Sequence, residues 1–189
     1  GPAGSMVLAG DDGLVMEVLK RPFQVSAGSF FQVNTPQAAA MVQHLLNRLP
    51  LTKDATLVDV YCGVGLFSAF MAARVGRCVG IELSESACAD YAVNLDAFDN
   101  VALYVGAAED VLPALDLKAN IVLVDPPRAG LERAALDAIA AMAPATLAYV
   151  SCDPSTLARD VKRLIATGYV LKEVKPFDLF PQTYHVECV

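Results

Sequence analysis

The sequence predicts an α/β fold: a mostly parallel seven-stranded sheet with helices on both faces, preceded by an N-terminal hairpin and helix. From about residue 54, short apolar runs alternate with segments of helical apolar spacing, which is the pattern of a parallel sheet with crossover helices. Hydrophobic residues make up 55% and charged residues 19% of the 189 residues, a composition typical of one globular domain.

The elements are predicted in order along the chain. Residues 13–33 alternate like a hairpin, and residues 35–49 form an amphipathic helix with Thr35 as N-cap and Pro36 at its first position. Buried strands are expected over residues 55–60, 77–82, 101–105, 120–125 and 146–151, with helices over residues 66–73, 86–95, 109–115 and 133–142 between them. A last helix over residues 155–166 and two strands near residues 169–176 and 184–189 complete the sheet.

The ends of the chain, its cysteines and its charge narrow the class of protein. Residues 1–5 are typical of the remnant of a cleaved tag, so we expect Met6 to open the native segment. No apolar run reaches the ~18 residues that a membrane span needs. The five cysteines include no CxxC pair, which predicts neither a metal site nor a disulfide framework and favours reduced thiols in a cytoplasmic protein. The net charge of −7 argues against nucleic-acid binding by this chain alone.

A glycine loop follows the first strand of the predicted sheet. There Asp59-Val60-Tyr61-Cys62-Gly63-Val64-Gly65 leads into a helix, and the two glycines allow a tight turn and the close approach of a ligand. Glu82 ends the next strand, where a carboxylate can accept hydrogen bonds from ribose hydroxyls. Because Ser68 replaces the last glycine of the dinucleotide fingerprint GxGxxG, the pattern suits a ligand without a pyrophosphate, such as S-adenosylmethionine. A plain tight turn and a solvated strand end stay open as alternatives.

Three later segments bring reactive groups toward the same edge of the sheet. Asp125-Pro126-Pro127-Arg128 follows the fourth strand, Cys152 follows the fifth, and Glu187 lies in the apolar C-terminal segment. Cys152 precedes a helix that Asp153 can cap, and a helix start stabilises a thiolate and lowers the pKa of the thiol. Burial as a small inert hydrophobe is the alternative for Cys152, and Cys62 on the glycine loop is also near this edge.

Glu187 and His185 share one face of the predicted C-terminal strand. If that face is partly desolvated, the pKa of Glu187 is raised, as a general base requires; if it is solvated, Glu187 is an ordinary surface carboxylate. His185 beside Cys152 would suggest a Cys–His hydrolase. We rank the hydrolase lower, because the glycine loop and a ribose-type acid have no role in it.

Five motifs resemble, in order and spacing, those of the RNA uracil-5-methyltransferase family, over roughly residues 25–189. They are Phe30-Phe31-Gln32-Val33-Asn34, Asp59-Val60-Tyr61-Cys62-Gly63-Val64-Gly65, Asp125-Pro126-Pro127-Arg128-Ala129-Gly130, Val150-Ser151-Cys152-Asp153-Pro154 and Phe180-Pro181-Gln182-Thr183-Tyr184-His185-Val186-Glu187. The cysteine and C-terminal motifs are the most specific. Asp153 stands where the family usually has Asn, and either side chain can cap a helix.

The resemblance implies a Rossmann-like class I methyltransferase whose cofactor is S-adenosylmethionine. It implies that Cys152 is the nucleophile and that Glu187 is the base that removes the C5 proton of a uridine. The expected cofactor-binding residues, including the two glycines of the loop, are Gln32, Tyr61, Gly63, Gly65, Glu82 and Asp125. Residues 35–189 would be the catalytic domain, with residues 6–34 as a hairpin segment before it.

Many members of that family also carry an N-terminal oligonucleotide-binding barrel, an inserted RNA-binding domain or an iron–sulfur cluster, and these are not found in this sequence. We therefore expect a fragment of a longer, monomeric protein whose other parts help to bind a transfer or ribosomal RNA. Two alternatives remain. One is an N-methyltransferase whose Asp-Pro-Pro motif orients an amino group, and the other is a non-catalytic module of the same fold that binds RNA or a protein partner.

Overall fold

An antiparallel hairpin opens the part of the chain that the computed structural model describes, residues 12–183 and 185–189. Its strands are β1 (Gly13–Val18) and β2 (Arg21–Ser26), joined by a two-residue turn whose φ angles are 50° and 65°. Two successive positive φ values match the twist of the strands. The hairpin ends well before the predicted residue 33, because Asp90 of a later helix accepts hydrogen bonds from the backbone and the hydroxyl of Ser26.

Five parallel strands form the central sheet of the described residues. They are β3 (Thr56–Val60), β4 (Arg77–Glu82), β5 (Val101–Val105), β6 (Ile121–Val124) and β7 (Thr146–Tyr149), in the spatial order β5-β4-β3-β6-β7. The chain builds outward from β3 to β5 and then crosses to β6 on the other side of β3. The switch point therefore lies between β3 and β6, which is where ligands bind in open parallel sheets.

Six helices cover the two faces of this sheet. They are α1 (Thr35–Arg48), α2 (Leu66–Met71), α3 (Glu85–Asn94), α4 (Ala108–Ala114), α5 (Arg133–Met142) and α6 (Pro154–Ala166), and a 3-10 turn (Ala72–Arg74) extends α2. One core contains α1, α2, α3 and the hairpin, with Leu45 and Tyr91 buried in it. The other contains α4, α5 and α6, with Ile139 buried in it. No helix within the described ranges is long and apolar enough to cross a membrane.

Side chains cap the starts of α1, α3 and α6, although one predicted cap is wrong. Asn34 caps α1 by accepting a hydrogen bond from the backbone N–H of Gln37 at 3.3 Å, so Thr35 is the first helical residue and not the cap. Asn34 is the cap because its side chain, one residue before Thr35, can accept a hydrogen bond from a free N–H group of the first helical turn. At α6 the prediction is confirmed, since Asp153 accepts from the N–H groups of Ser155 and Thr156.

Two short strands end the chain. β8 (Pro176–Phe177) pairs antiparallel with β9 (Glu187–Cys188), and an antiparallel bridge between Ser151 and Cys188 joins this pair to the edge of the central sheet. The α/β class is thus as predicted, but the central sheet has five strands among the described residues instead of seven, and β8 and β9 form a separate pair of two residues each. The strand expected over residues 169–176 is mostly extended chain outside any ladder, because its apolar residues Val170, Leu171 and Val174 lie exposed instead of packing on a neighbour.

Candidate active site

A cavity of about 990 Å³ opens at the carboxyl edge of the central sheet, beside the switch point between β3 and β6. Its size is in the range of small-molecule sites. Seven of the eight predicted site residues line it: Gln32, Tyr61, Gly63, Glu82, Asp125, Cys152 and Glu187. Segments far apart in sequence thus converge on one site, as the ends of parallel strands dictate.

The glycine loop and Glu82 form one wall of the cavity. Gly63 donates its N–H to Glu82 Oε2 at 2.9 Å, while Oε1 accepts from the N–H groups of Leu83 and Ser84, each at 2.8 Å. These three bonds orient the carboxylate and leave Oε2 with room for one more donor. Tyr61, at the end of β3, lines the cavity with a φ of 62°, a sparsely populated conformation for a side chain of this size.

Gly65 is not among the described residues that line the cavity, unlike the other predicted positions. Its φ is 90°, and a Cβ at this position would collide with Leu95 and would lie 2.9 Å from Tyr91 Cδ2. Gly65 therefore lets α3 pack directly on the loop. Its placement shows a packing requirement of the turn.

Asp59, within β3, was not predicted as a site residue. It is fully buried, and its Oδ2 accepts from both the N–H (3.1 Å) and the hydroxyl (2.6 Å) of Ser68, while its Oδ1 has no partner within the described residues. Burial raises the pKa of Asp59 to about 7, partly offset by the bonds from Ser68. Ser68, which stands in place of a third glycine, thus hydrogen-bonds the buried Asp59 carboxylate. An acidic residue within an otherwise apolar strand was the sequence feature that could have identified Asp59.

Gln32 reaches the cavity on the loop that leaves the hairpin. Asp90 holds this loop by accepting hydrogen bonds from the Ser26 N–H (2.8 Å), the Ser26 hydroxyl (2.7 Å) and the Ser29 hydroxyl (2.6 Å). The Gln32 side chain is buried but makes no hydrogen bond to another described residue. Its amide is therefore available to a ligand.

Asp125 follows β6 at the centre of the cavity edge. Burial raises the pKa of this carboxyl well above its usual value, and the charges of Glu187 and Asp59 raise it further. No hydrogen bond from a described side chain or N–H reaches its carboxylate. Asp125 is thus poised to bond a ligand directly.

Cys152 and Glu187 are brought together by the bridge at the sheet edge. Because Ser151 pairs antiparallel with Cys188, at 2.9 and 2.8 Å, the next pair along this register is Cys152 and Glu187. Burial raises the pKa of Glu187 to about 7. The predicted desolvated carboxylate is therefore present next to the thiol.

The expected lowering of the Cys152 pKa is wrong. Cys152 lies half-buried before α6, and its pKa is raised by burial and by the Glu187 carboxylate, with Arg128 opposing them and Asp125 adding to them. Two nearby carboxylates and desolvation outweigh the helix start, whose favourable effect is small and confined to the first turn.

Arg128 and His185 form the mouth of the cavity, and neither was among the predicted site residues. The Arg128 guanidinium contacts both ring nitrogens of His185, with Nε2 at 2.7 Å. Arg128 is the only lysine or arginine among the described residues that line the cavity. The same lining includes five carboxylates: Glu82, Glu109, Asp125, Glu132 and Glu187. The position of Arg128, directly after the Asp-Pro-Pro motif, was the sequence feature that could have identified it as a site residue.

Cys62 also borders the cavity but is enclosed. It is 6% exposed, and burial raises the pKa of its thiol well above the usual value. Its Sγ packs against the backbone of Gly80, where an added Cβ would lie 2.9 Å away. Its surroundings are those of a small core hydrophobe.

Comparison with known proteins identifies the family of this chain. The family described as tRNA (Uracil-5-)-methyltransferase matches residues 12–189. An RNA methyltransferase of Thermosynechococcus vestitus, itself uncharacterised, is 40% identical over 188 residues, covering 98% of this chain and 42% of its own. A similar protein of Clostridium tetani is 39% identical over 190 residues, covering 98% of this chain and 41% of its own. The chain thus spans about two fifths of the length of these curated relatives.

Solved structures share the architecture. The Pyrococcus abyssi tRNA (uracil-54, C5)-methyltransferase, solved with S-adenosyl-L-homocysteine, superposes with a TM-score of 0.81 at 31% identity, covering 95% of this chain and 44% of its own. A precorrin-6y C5,15-methyltransferase of Geobacter metallireducens, at 18% identity and a TM-score of 0.66, shares the fold alone. A family match over nearly the whole described chain, with relatives near 40% identity, leaves one assignment. The chain belongs to the tRNA (uracil-5-)-methyltransferase family.

Proposed function

We propose that the protein to which this chain belongs methylates C5 of a uridine in transfer or ribosomal RNA, with S-adenosylmethionine as methyl donor. The supporting observation is one cavity that contains a thiol, a carboxyl with a pKa of about 7 and an oriented ribose-type acid: Cys152, Glu187 and Glu82. The relatives are named RNA methyltransferases, and the Pyrococcus abyssi enzyme was solved with the demethylated cofactor.

The residues present fit that cofactor. Glu82 keeps an acceptor position on Oε2 for ribose hydroxyls, and the Gln32 amide and the Asp125 carboxyl are free to bond polar groups of the ligand. Gly63 and Tyr61 border the same space, and Gly65 shapes the loop that carries them. When bound, S-adenosylmethionine supplies an electrophilic methyl group.

Cys152 would open the reaction, because C5 of uracil is a weak nucleophile. The Cys152 thiolate forms a bond to C6, and the C5–C6 π electrons become available at C5. C5 then forms a bond to the methyl carbon as the methyl–sulfur bond of the donor breaks. Glu187 takes the proton from C5, the C5–C6 double bond re-forms, and the bond to Cys152 breaks to return the thiolate.

The charge of the chain bears on how RNA reaches this site. The net charge is −7, and the described residues that line the cavity include five carboxylates and, of the lysines and arginines, Arg128 alone, so the cavity offers little attraction to phosphates. We infer that the parts of the longer protein outside this chain supply much of the RNA affinity, while the target base enters the cavity unstacked.

An adduct-trapping experiment tests the proposal. The full-length protein is incubated with S-adenosylmethionine and an RNA that carries 5-fluorouridine, whose C5 has no proton to lose. A covalent protein–RNA complex that is stable in denaturant and maps to Cys152 by peptide mass spectrometry is expected. Methylation of ordinary RNA without any such complex would point instead to an N-methyltransferase that uses Asp125.

A further inference from the structure

A buried carboxylate outside the cavity lies against a loop that lines the cavity. Asp160 lies in α6 with no exposed surface, and it is not among the described lining residues. An ionised carboxylate in such a place is costly unless it is paired and hydrogen-bonded. The partners of Asp160 therefore indicate its task.

Asp160 binds the backbone of the loop between β6 and α5. Its Oδ2 accepts from the N–H of Leu131 at 2.8 Å and from the Tyr149 hydroxyl at 2.9 Å, and its Oδ1 accepts from Arg159 Nε at 2.9 Å. Arg159 in turn donates from Nη2 to the carbonyl of Ala129 at 2.8 Å. The two adjacent side chains of α6 thus hold both an N–H and a carbonyl of the loop.

The loop backbone lies directly against this pair. Gly130 has a φ of 77°, and a Cβ there would lie 2.5 Å from Asp160 Oδ2 and 2.6 Å from Arg159 Nη2. Only a residue without a side chain can adopt this conformation and this approach without displacing the carboxylate. The position of the Asp160 carboxylate therefore requires a glycine at residue 130.

The charge state of Asp160 suits this role. Burial acts to raise its pKa, but hydrogen bonds from Arg159, Leu131 and Tyr149 outweigh burial, so that the pKa lies below its usual value. Asp160 is ionised at neutral pH, and its bonds to the loop are charge-assisted.

The same helix also fixes the thiol. Cys152 directly precedes Asp153, which caps α6, and the loop held by Asp160 carries Asp125 and Arg128 into the cavity. We propose that Asp160 is a positioning residue, which locks the loop of residues 125–131 onto α6 and so sets Asp125 and Arg128 relative to Cys152. The functional part of this inference rests on the function proposed above.

The test uses Asp160→Asn in the full-length protein. Asparagine has the same size but no charge, and it presents an N–H group where Arg159 needs an acceptor. Hydrogen exchange at the Leu131 amide should become faster, while the amide of Leu157 in α6 stays protected. The kcat for methyl transfer to RNA should fall roughly 10- to 100-fold, because small misplacements of reacting groups cost that much. The Kd for S-adenosylhomocysteine should rise much less than kcat falls, about 3-fold, since Asp125 is the expected cofactor contact on this loop while Glu82 lies on another.

Tyr149→Phe is the matched control. It removes a hydrogen bond from Asp160 that does not reach the loop, and it should keep both the Leu131 protection and kcat within about 3-fold of wild type. The proposal is overturned if Asp160→Asn retains kcat. It is also overturned if kcat, cofactor affinity and melting temperature all fall together in both variants, because that pattern indicates a general loss of stability. If wild-type protein methylates no uridine while Leu131 protection still depends on Asp160, the anchoring is supported and only the proposed function fails.

Discussion

At the scale of single residues, two cysteines border the cavity and only one has the surroundings of a nucleophile. Cys62 is enclosed against Gly80, and burial, Asp59 and Glu82 all raise the pKa of its thiol. Cys152 is half-buried, and Arg128 opposes the groups that raise its pKa. A neighbouring guanidinium and open access favour attack by Cys152, since the thiolate is the reactive form.

Replacing the two cysteines one at a time should separate their roles. In the full-length protein, Cys152→Ala should lower methyl transfer by several orders of magnitude and abolish adduct formation, because the attacking group is gone. Cys62→Ala should retain the chemistry. A tritiated-methyl transfer assay on RNA lacking 5-methyluridine measures both variants side by side. Appreciable activity of Cys152→Ala would rule out the covalent route.

Glu187→Gln should stall the reaction after methyl transfer. The amide cannot take the C5 proton, so the covalent bond to Cys152 cannot be released and a protein–RNA adduct should accumulate on ordinary RNA. Denaturing gel electrophoresis with labelled RNA detects the adduct. Full turnover by this variant would place the base elsewhere.

The Glu187 carboxylate should also control the reactivity of Cys152. Its charge raises the pKa of the thiol, so Glu187→Gln should shift the alkylation of Cys152 by iodoacetamide to lower pH. In wild type the effect should appear as pH rises through about 7, where Glu187 becomes charged. Peptide mass spectrometry across this pH range measures the profile. Glu109→Gln, elsewhere in the cavity lining, is the control that should leave the profile in place.

At the scale of elements, the N-terminal hairpin is tied to α3 and so places the loop with Gln32. Asp90 takes three hydrogen bonds from Ser26 and Ser29. Asn94, one helical turn later, bonds both the N–H of Gln24 (2.8 Å) and its carbonyl (3.0 Å). The hairpin is therefore held in one position relative to α3, and with it the loop that carries Gln32. A buried polar network specifies one arrangement when all its members are hydrogen-bonded.

Breaking this tie should affect both stability and binding. Asp90→Ala should cost about 2 to 3 kcal/mol of unfolding free energy, because buried donors lose their acceptor. It should also weaken S-adenosylhomocysteine binding through the displaced Gln32 loop. Chemical denaturation and calorimetry measure the two effects. Asp137→Ala, which removes an exposed partner of Arg133 in α5, should change stability by less than about 0.5 kcal/mol and leave binding intact.

At the scale of the whole molecule, the residues that line the cavity come from both halves of the central sheet. Glu82 ends β4 and the glycine loop follows β3, whereas Asp125 follows β6 and Cys152 follows β7. The two halves meet at the switch point. Because the proposed cofactor contacts Glu82 and Asp125 come from the two halves of this one chain, cofactor binding should not require RNA.

The described chain should bind S-adenosylhomocysteine without RNA. Glu82→Ala should weaken that binding by at least ~1.5 kcal/mol, about 10-fold in Kd, because hydrogen bonds to a charged acceptor are lost. Titration calorimetry on the chain of 189 residues measures the affinity. Glu85→Ala, an exposed acid at the start of α3, should bind as wild type. Absence of binding at millimolar ligand would contradict the cofactor assignment.

The order of elements, the parallel sheet and the edge at which the motifs gather were predictable from the sequence, because apolar periodicity is a local property of the chain. So was Asp153 as a cap, whereas the sequence left a solvated and a desolvated Glu187 as alternatives, and burial in the fold raises its pKa to about 7. The end of the hairpin and the unpaired stretch before β8 were not predictable, since each depends on contacts with residues distant in sequence. The cap of α1 is a local contact, from the Gln37 N–H to Asn34, and the sequence prediction placed it one residue too late.

Only the tertiary structure decided which groups face one another. The sequence indicated a low pKa for Cys152 from its helix start, yet Glu187 and burial reverse the direction once β9 lies beside it. It did not indicate that Leu95 and Tyr91 lie where a side chain at Gly65 would be. The reason is physical: propensity and periodicity act over a few residues, but desolvation and charge interactions depend on what the fold brings within a few ångströms.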